Sequence, residues 1–328
     1  MPHALFRFYA SSWRGAGHAM RCLTLAKALT AQGWTCAFIT EAESFEFVLA
    51  LARYQRLDPD DFYNSPVTCD LLVVDHYDCD ITYESRFRPY AKKIMVIDDL
   101  ANRQHDCDLL LDQTYGRTPS EYKNLTPPHC TVLAGAGYAL LRPEFSMLRP
   151  DMLQKRGQVR AIERILVNFG GNDQENNILT TLQVLHQCHY QGAIDVVYGV
   201  MAPHQESVEA YAATLSNDIC FHVNPDMAAL MCAADLAVGA AGATTWERCC
   251  LGLPSILIET ADNQRTIIKN LCDDQAVIGS GYSCLSQHGL LSDFDAVQYA
   301  TWVERAASVC DGTGIIKLAQ AIVLQISE

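Results

Sequence analysis

Short apolar runs alternate with helical patterns along almost the whole chain, and this alternation limits the fold more than any other feature. The runs at residues 70–75 and 93–98 are nearly continuous in apolar residues, as in strands buried on both faces of a parallel sheet. The apolar positions after His18 instead recur at helical spacing and stop at Gly33. Further strands are predicted at residues 5–9, 34–40, 108–112, 131–134, 164–169, 194–200, 219–223, 236–240 and 254–259, with helices at 44–53, 83–90, 178–187, from about 244, from 263 and at 315–326. This rhythm predicts doubly wound α/β sheets with right-handed crossovers.

The chain is long enough for two such domains. Its 328 residues exceed what one hydrophobic core usually organises. The βαβ rhythm breaks between residues 141 and 161, where prolines, a glycine and mixed charges predict an interdomain linker. We therefore expect a Rossmann-like domain over residues 1–148 and another over 149–328, facing each other across a cleft. The final helix is expected to pack at the domain junction.

The charge and the cysteines exclude several classes of protein. A formal net charge of −14 argues against a nucleic-acid or anionic-membrane partner, since both need basic patches, but a phosphate ligand needs only a few local donors. The 14 cysteines include no CxxC pair and no His/Cys cluster at zinc spacing. No signal peptide is apparent, so we expect reduced thiols in a cytoplasmic protein. No apolar run looks long enough to span a membrane.

The stretch from Arg14 to His18 marks the turn from the first strand into the first helix. Glycines there allow unusual dihedral angles and close approach of a ligand, so Arg14 and Gly17 are candidate substrate contacts. His18 falls at the helix N-terminus, where the dipole disfavours imidazolium, and a neutral imidazole there is a candidate general base. The alternative is a tight βα turn with His18 as a polar cap.

Polar residues follow two other predicted strands of the first domain. Asp75, His76 and Tyr77 follow one strand, and Asp98 and Asp99 follow the next. Ligands of doubly wound sheets bind beyond the carboxyl ends of the strands, so all of these residues should share one edge with His18. Asp98 or Asp99 is expected to contact substrate or to orient the imidazole. A solvated strand end is the plain alternative, and a metal pair is a second, although no matching ligand set lies nearby.

Two glycine-containing loops of the second domain suit a phosphorylated ligand. Gly242, Thr244 and Thr245 offer a small, hydroxyl-lined helix start for a diphosphate. Glu247 can accept hydrogen bonds from ribose hydroxyls. The Gly170-Gly171 pair can pass beneath the pyrophosphate or the sugar. The alternative is an ordinary capped helix, with Thr244 as the cap and Glu247 completing a capping box.

These blocks together resemble the UDP-2,4-diacetamido-2,4,6-trideoxy-β-L-altropyranose hydrolases of pseudaminic acid biosynthesis. That family is similar in fold to the GT-B glycosyltransferase that makes lipid II. Several blocks in one order are more specific than any single block. The resemblance rests on residues 15–22 (GAGHAMRC), 74–77 (VDHY), 97–99 (IDD), 138–145 (YALLRPEF), 169–173 (FGGND), 242–248 (GATTWER) and 263–264 (NQ).

The resemblance implies a role for each block. His18 acts as the base toward water, and Tyr77 lies near the sugar as a second catalytic residue. The other blocks bind substrate, and no metal or organic cofactor is used. The UDP-binding residues that it implies are Gly170, Gly171, Asp173, Gly242, Thr244, Thr245, Glu247, Asn263 and Gln264.

The expected reaction is a single displacement by water at the anomeric carbon of a UDP-sugar. The C-terminal domain would hold UDP, cleft closure would bring the sugar to His18, and inversion would follow from in-line attack. Two alternatives remain open. A GT-B glycosyltransferase would use the same nucleotide site with a sugar or lipid acceptor, and a non-catalytic UDP-sugar sensor would not need His18.

Overall fold

The chain folds into two compact units. The computed structural model describes residues 1–11, 15–199, 202–286, 290–291 and 293–327. The first unit comprises Met1–Arg142 together with Thr313–Glu328, and the second comprises Pro143–Gly312. Each unit is built on one parallel sheet.

Both sheets have the strand order of a doubly wound fold. The strands are β1 (His3–Phe8), β2 (Thr35–Ile39), β3 (Gln55–Leu57), β4 (Cys69–Asp75), β5 (Ala91–Ile97), β6 (Leu109–Asp112), β7 (Thr131–Ala134), β8 (Arg164–Asn168), β9 (Ala193–Tyr198), β10 (Ile219–Val223), β11 (Leu236–Ala240), β12 (Ser255–Ile258) and β13 (Gly279–Ser280). The first sheet runs β3-β2-β1-β4-β5-β6-β7 and the second β10-β9-β8-β11-β12-β13. The order reverses between β1 and β4 in one sheet and between β8 and β11 in the other. Such switch points are where open α/β sheets bind ligands.

Helices connect the strands as the alternation predicts. They are α1 (Gly17–Ala31), α2 (Ala42–Phe47), α3 (Pro59–Asn64), α4 (Ile81–Phe87), α5 (Pro143–Arg156), α6 (Asn177–Gln187), α7 (Gln205–Ala212), α8 (Met227–Ala233), α9 (Thr244–Cys250), α10 (Arg265–Asp273), α11 (Ser283–Ser286), α12 (Ala296–Val309) and α13 (Gly314–Ser327). Short 3₁₀ helices cover Leu49–Arg53, Pro119–Tyr122, Ala136–Tyr138 and Asp262–Gln264. The helix predicted over residues 44–53 is therefore wrong as one element, because α2 ends at Phe47 and a 3₁₀ helix follows.

Burial on both faces explains the apolar strands. Along β1, Phe6 and Phe8 pack in a core with Leu25 of α1, while Leu5 packs in the opposite core with Phe87 of α4. Alternate residues of one strand thus enter different cores, which explains why both sets are mostly apolar. In the second sheet Ile165, Val167 and Val238 share a core with Leu182 of α6 and Tyr299 of α12. The predicted doubly wound architecture of both domains is confirmed.

The linker predicted over residues 141–161 is wrong for most of its length, because α5 occupies Pro143–Arg156. Pro143 stands at the first helical position, where no backbone N–H is needed. Pro150 lies inside the helix, where proline removes a hydrogen bond. Two arginines of the same helix make tertiary hydrogen bonds that stabilise it.

Arg149 and Arg156 bind backbone carbonyls of the second unit. Arg149 donates to the carbonyl oxygens of Cys250, Ala307 and Cys310 at 2.6, 2.8 and 3.0 Å. Arg156 is buried and donates to those of Met231, Ala234 and Leu251 at 2.7 to 2.8 Å. Proline and mixed charge are local signals, and within this segment they predict a linker. The carbonyl partners of the two arginines lie 75 to 161 residues away along the chain, so the composition of the segment does not indicate them.

The last helix belongs to the first unit. Ile315, Leu318 and Ile322 of α13 join the core that α1 covers. The structure therefore divides the chain after Arg142 and returns it to the first unit at Thr313, in contrast to a single boundary at residue 148. An amphipathic pattern shows that a helix needs a core, but it does not show which core.

One correction concerns membrane spans. By length and composition, segment 296–326 passes a test for crossing a membrane, and half of its most apolar window is buried within the protein. The segment consists of α12 and α13, which contribute Tyr299 and Leu318 to the cores of their own units. Core helices of globular domains pass the same test.

Candidate active site

The switch point of the first sheet brings His18 and Asp75 together. Phe8, the last residue of β1, pairs in register with Asp75, the last residue of β4. The chain then turns through Gly15, which has a φ of +77°, and starts α1 at Gly17. Residues 57 positions apart thus become neighbours at one edge, as the sequence predicted for this set.

A short hydrogen bond joins His18 to Asp75. Nδ1 of His18 lies 2.6 Å from Oδ1 of Asp75, whose side chain is fully buried. A carboxylate partner assigns the proton to Nδ1, so the lone pair of the neutral ring is on Nε2. Within the described part of the chain, Nε2 makes no hydrogen bond. Ala16 is the N-cap of α1 and no side chain caps it, so the polar-cap alternative for His18 is wrong.

Arg21, one turn further along α1, pairs with the same carboxylate. Its Nε and Nη2 lie 2.6 and 2.5 Å from the two oxygens of Asp75. Its Nη1 reaches Oδ2 of Asp99 at 3.3 Å. Burial alone would raise the pKa of Asp75, but the charges and hydrogen bonds of Arg21 and His18 hold that pKa well below its usual range. Asp75 is therefore a carboxylate at every working pH.

Tyr77 contacts both Asp99 and His18. Its hydroxyl donates to Asp99 at 3.0 Å, and its ring meets the His18 imidazole edge to face, with centroids 4.9 Å apart. Burial and the Asp99 charge raise the pKa of Tyr77 well above its usual value, so the phenol stays neutral. His18, Arg21, Asp75, Tyr77 and Asp99 form one connected set, which we call the acid–base cluster.

The carboxylate that orients His18 is Asp75, whereas the sequence analysis offered Asp98 or Asp99. Asp98 is buried and fixes its own loop: it pairs with Arg103 at 2.9 Å and accepts from the Tyr122 hydroxyl at 2.9 Å. This differs from the substrate contact predicted for Asp98. Asp75 could have been identified from the sequence by its position at the end of β4, the strand that pairs with β1. Arg14, another predicted contact, lies outside the described residues.

Metal ligation was the alternative for the Asp98-Asp99 pair. In the described part of the chain, no group of three or more His, Cys, Asp or Glu side chains is arranged to hold a metal ion. Asp99 receives the hydrogen bonds of Tyr77 and Arg21 instead. These two carboxylates therefore have protein partners of their own.

The switch point of the second sheet is built differently. The loop after β8 contains Gly170-Gly171, and the loop after β11 contains Gly242. A Cβ built on any of these three glycines would meet no other heavy atom of the described residues within 4 Å, and the φ of Gly170 is +80°. The packing of the chain leaves room at Gly171 and Gly242 for a side chain. Their backbone is correspondingly open to close approach by a ligand.

The start of α9 differs from both sequence interpretations. Its N-cap is Ala243 and no side chain caps it, so the capping box of Thr244 and Glu247 is wrong. Thr245 is buried and its hydroxyl accepts a hydrogen bond from Arg248 at 3.0 Å, so this hydroxyl already has a partner within the protein. Thr244 and Glu247 are half-buried in the first turn. Two of the predicted nucleotide contacts of this block thus keep a suitable position.

The remaining predicted contacts of the second unit are mixed. Asp173 accepts from the backbone N–H groups of Asn177 and Ile178 at 2.8 Å, so it caps α6 and differs from the predicted UDP contact. Gln264 is half-buried and its side-chain carbonyl accepts from the Thr260 N–H at 3.0 Å. Asn263 is exposed beside it.

The fold defines the class of the protein. Two successive domains with these strand orders form the GT-B fold. The structure is similar to that of MurG from Acinetobacter baumannii, with a TM-score of 0.68 at 15% sequence identity over 99% of this chain and 100% of that one. Residues 165–299, all within the second unit, match the model of the glycosyltransferase family 28 C-terminal domain.

Curated relatives narrow the comparison. The UDP-2,4-diacetamido-2,4,6-trideoxy-β-L-altropyranose hydrolase of Campylobacter jejuni is 25% identical over 242 residues, which cover 69% of this chain and 80% of the relative. The spore coat polysaccharide biosynthesis protein SpsG of Bacillus subtilis is 23% identical over 290 residues, covering 82% and 80%. The resemblance inferred from the sequence blocks is confirmed by the first of these relatives. The chain therefore has the GT-B fold.

Proposed function

We propose that this protein hydrolyses the anomeric C1–O bond of a UDP-linked 2,4-diacetamido-2,4,6-trideoxy sugar. The products are UDP and the free sugar with inverted configuration, as a cytoplasmic step of pseudaminic acid biosynthesis that uses no metal or organic cofactor. The observation that carries the proposal is the hydrogen bond between His18 and buried Asp75, which leaves Nε2 of His18 to accept a proton. The Campylobacter jejuni relative suggests the substrate.

In the proposed reaction the first domain supplies the base. Nε2 of His18 takes a proton from water while the water oxygen bonds to C1. The C1–O bond breaks and UDP leaves with the bonding electron pair. Asp75 stabilises the imidazolium that forms, since its carboxylate already accepts the Nδ1 proton. Attack opposite the leaving group inverts the anomeric centre. Arg21, Asp99 and Tyr77 hold this pair in place.

The second domain is assigned to UDP. The open backbone at Gly170, Gly171 and Gly242 suits a diphosphate, because backbone N–H groups in such loops bind anions. Thr244 adds a hydroxyl, and Glu247 is the proposed partner of the ribose. The other contacts that remain part of the proposal are Arg14, Gly17, Asp99, Asn263 and Gln264.

A GT-B glycosyltransferase is the second candidate. The match of residues 165–299 to a glycosyltransferase domain and the likeness to MurG favour it. Such an enzyme would direct the same base to an acceptor hydroxyl in place of water. A UDP-sugar sensor has less support, because binding alone needs no buried histidine–aspartate pair.

Release of UDP in buffer without any acceptor separates these functions. The purified protein is mixed with the UDP-linked diacetamido sugar, and UDP is measured together with the anomer first formed, by NMR. Hydrolysis predicts multiple turnovers, an inverted first product and unchanged rates in excess EDTA. A transferase predicts turnover only after an acceptor is added, a sensor predicts binding without turnover, and activity lost to EDTA and restored by a divalent ion contradicts the metal-independent proposal.

A further inference from the structure

Arg248 lies buried beneath the two loops of the second switch point. Its Nη2 donates to the carbonyl oxygen of Ala240, the last residue of β11, at 2.8 Å, and to Thr245 Oγ1 at 3.0 Å. A Cβ built on Gly239 would come within 2.9 Å of its Nη1. Gly239 pairs in register with Asn168, the last residue of β8. The guanidinium thus lies where β8 and β11 both end and where both glycine loops begin.

This guanidinium has no counter-ion in the described part of the chain. Arg248 is 2% exposed, and no described carboxylate lies within ion-pairing distance of it. Its Nε has no hydrogen-bond partner among the described residues. Burial lowers the pKa of Arg248 to about 10, which still leaves it charged at neutral pH. Burying a charge without a partner costs free energy, and a bound anion would offset that cost.

Arg156 provides the contrast within the same unit. It is equally buried, but its three donors bind the carbonyl oxygens of Met231, Ala234 and Leu251. Ala234 and Leu251 precede β11 and β12, so Arg156 lies at the amino edge of the sheet, away from the glycine loops. Neither arginine has a carboxylate partner among the described residues, but all three nitrogens of Arg156 bind carbonyl oxygens, whereas Nε of Arg248, at the switch point, has no described partner.

We propose that Arg248 is a positioning residue whose buried charge is matched by the diphosphate of the bound nucleotide. The inference rests on the proposed function, because it takes the assignment of UDP to the second domain as given. Arg248 acts from below the loops: its charge attracts the anion, and its bonds to Ala240 and Thr245 fix the backbone from which the Gly242 loop starts. The ligand class is a nucleoside diphosphate, and the uracil and ribose should be indifferent to Arg248.

The test compares Arg248→Gln with Arg156→Gln by calorimetric titration with UDP, UMP and uridine. Glutamine keeps a donor for the carbonyl of Ala240 but removes the charge. We expect the UDP dissociation constant of Arg248→Gln to rise about tenfold or more, that of UMP to rise less, and that of uridine to stay within about twofold. The ligand-free variant should melt no lower than the wild type and gain less from UDP. Arg156→Gln should melt lower with unchanged UDP affinity.

Each other outcome has a definite meaning. Equal UDP affinity in Arg248→Gln and wild type overturns the inference alone and leaves the proposed function standing. An equal loss of UDP and uridine binding assigns Arg248 a structural role and also overturns it. If the glutamine variant does not fold, Arg248→Lys decides: a charge role keeps the ratio of UDP to uridine affinity near wild type, and a fall in that ratio contradicts it. A wild-type protein that binds no UDP overturns the nucleotide assignment itself, and the inference with it.

Discussion

The two halves of the molecule present the same edge of the same kind of sheet with opposite chemistry. In the first unit the switch point between β1 and β4 is filled by the acid–base cluster, whose side chains are tied to one another by hydrogen bonds. In the second unit the switch point between β8 and β11 is bordered by glycines and lies above the buried Arg248. One edge offers side chains and the other offers backbone.

The same architecture can thus support two tasks, proton transfer and binding of a diphosphate. Proton transfer needs an oriented imidazole with a fixed partner, and β4 provides this by ending on a buried aspartate. Binding of a diphosphate needs N–H groups and positive charge with little steric bulk, which glycine loops provide. Mutations at the first edge should therefore change the rate, and mutations at the second should change affinity for the nucleotide.

The largest expected effect follows from removing His18. The variant His18→Ala should lower kcat on the order of 10²–10⁴-fold, the usual share of a general base, with UDP affinity near wild type. His18→Asn lacks a basic nitrogen and should be nearly as inactive. Steady-state kinetics and UDP titration measure the two effects separately.

A control for His18 is available at the opposite edge of the same sheet. His3 is half-buried at the start of β1 and its imidazole contacts the Thr35 hydroxyl, away from the acid–base cluster, so His3→Ala should leave kcat within about twofold. A His18→Ala protein that turns over within a few-fold of wild type would end the distinction between the two edges and return His18 to a structural role.

Asp75→Asn should have the next largest effect. It breaks the orientation of the imidazole and should lower kcat by about 10²-fold. It also leaves buried Arg21 with Asp99 alone, at a cost of up to about 3–5 kcal/mol in stability. The pKa of Asp75 is lowered on folding, so its stabilisation is present above its unfolded pKa of about 4 and is lost as pH falls through the folded value.

Unfolding curves against pH check the second half of that prediction. The wild type should lose stability steeply at acid pH, and Asp75→Asn should show a shallower loss from a lower starting stability. Identical acid limbs in the two proteins would mean that Asp75 does not carry the charge assigned to it.

The variant Glu247→Ala tests the assignment of UDP binding to the second unit. Loss of a charge-assisted hydrogen bond to the ribose should weaken UDP binding by about 1.5–3 kcal/mol while the folded protein keeps its melting temperature. Glu259, an exposed residue of the same unit paired with Arg265, gives the matched control Glu259→Ala with unchanged affinity. Unchanged UDP affinity in stably folded Glu247→Ala would remove this residue from the site.

The smallest effect is expected for Tyr77→Phe. It removes the hydroxyl that Asp99 accepts but keeps the ring against His18, so kcat should fall only a few-fold, equivalent to about 0.5–1.5 kcal/mol. Because the pKa of Tyr77 is raised, its stabilisation is full below about pH 10 and is lost as pH rises further. The variant should resist alkali better than wild type. A loss of kcat as large as that of His18→Ala would instead make Tyr77 a direct participant in the chemistry.

The doubly wound architecture and the two glycine loops could be predicted from the sequence, because apolar runs and βα turns are local signals. The identity of the carboxylate partner could not. Asp75, Asp98 and Asp99 all follow buried strands in the sequence, and only the register of β1 against β4 places Asp75 beside His18. The local pattern also could not show that Thr245 accepts a hydrogen bond from Arg248 or that Asp173 binds the start of α6.

The helix α5 shows the same limit in the backbone. Pro143, Pro150 and Gly157 indicate a linker when they are read in sequence, yet Arg149 and Arg156 bind carbonyls supplied by three other helices and their ends. Tertiary hydrogen bonds to distant residues carry no signature in the segment itself. For the same reason the sequence did not predict that α13 packs in the core of the first unit.

Turnover in oxygen-18 water tests directly whether the first edge delivers water to C1 of the sugar. Products are separated and analysed by mass spectrometry after complete turnover, with a correction for exchange of the free sugar in the same water. The account predicts one label in the sugar and none in UDP. Label in UDP would mean attack at phosphorus, and it would contradict the assignment of His18 and Asp75 to chemistry at the anomeric carbon.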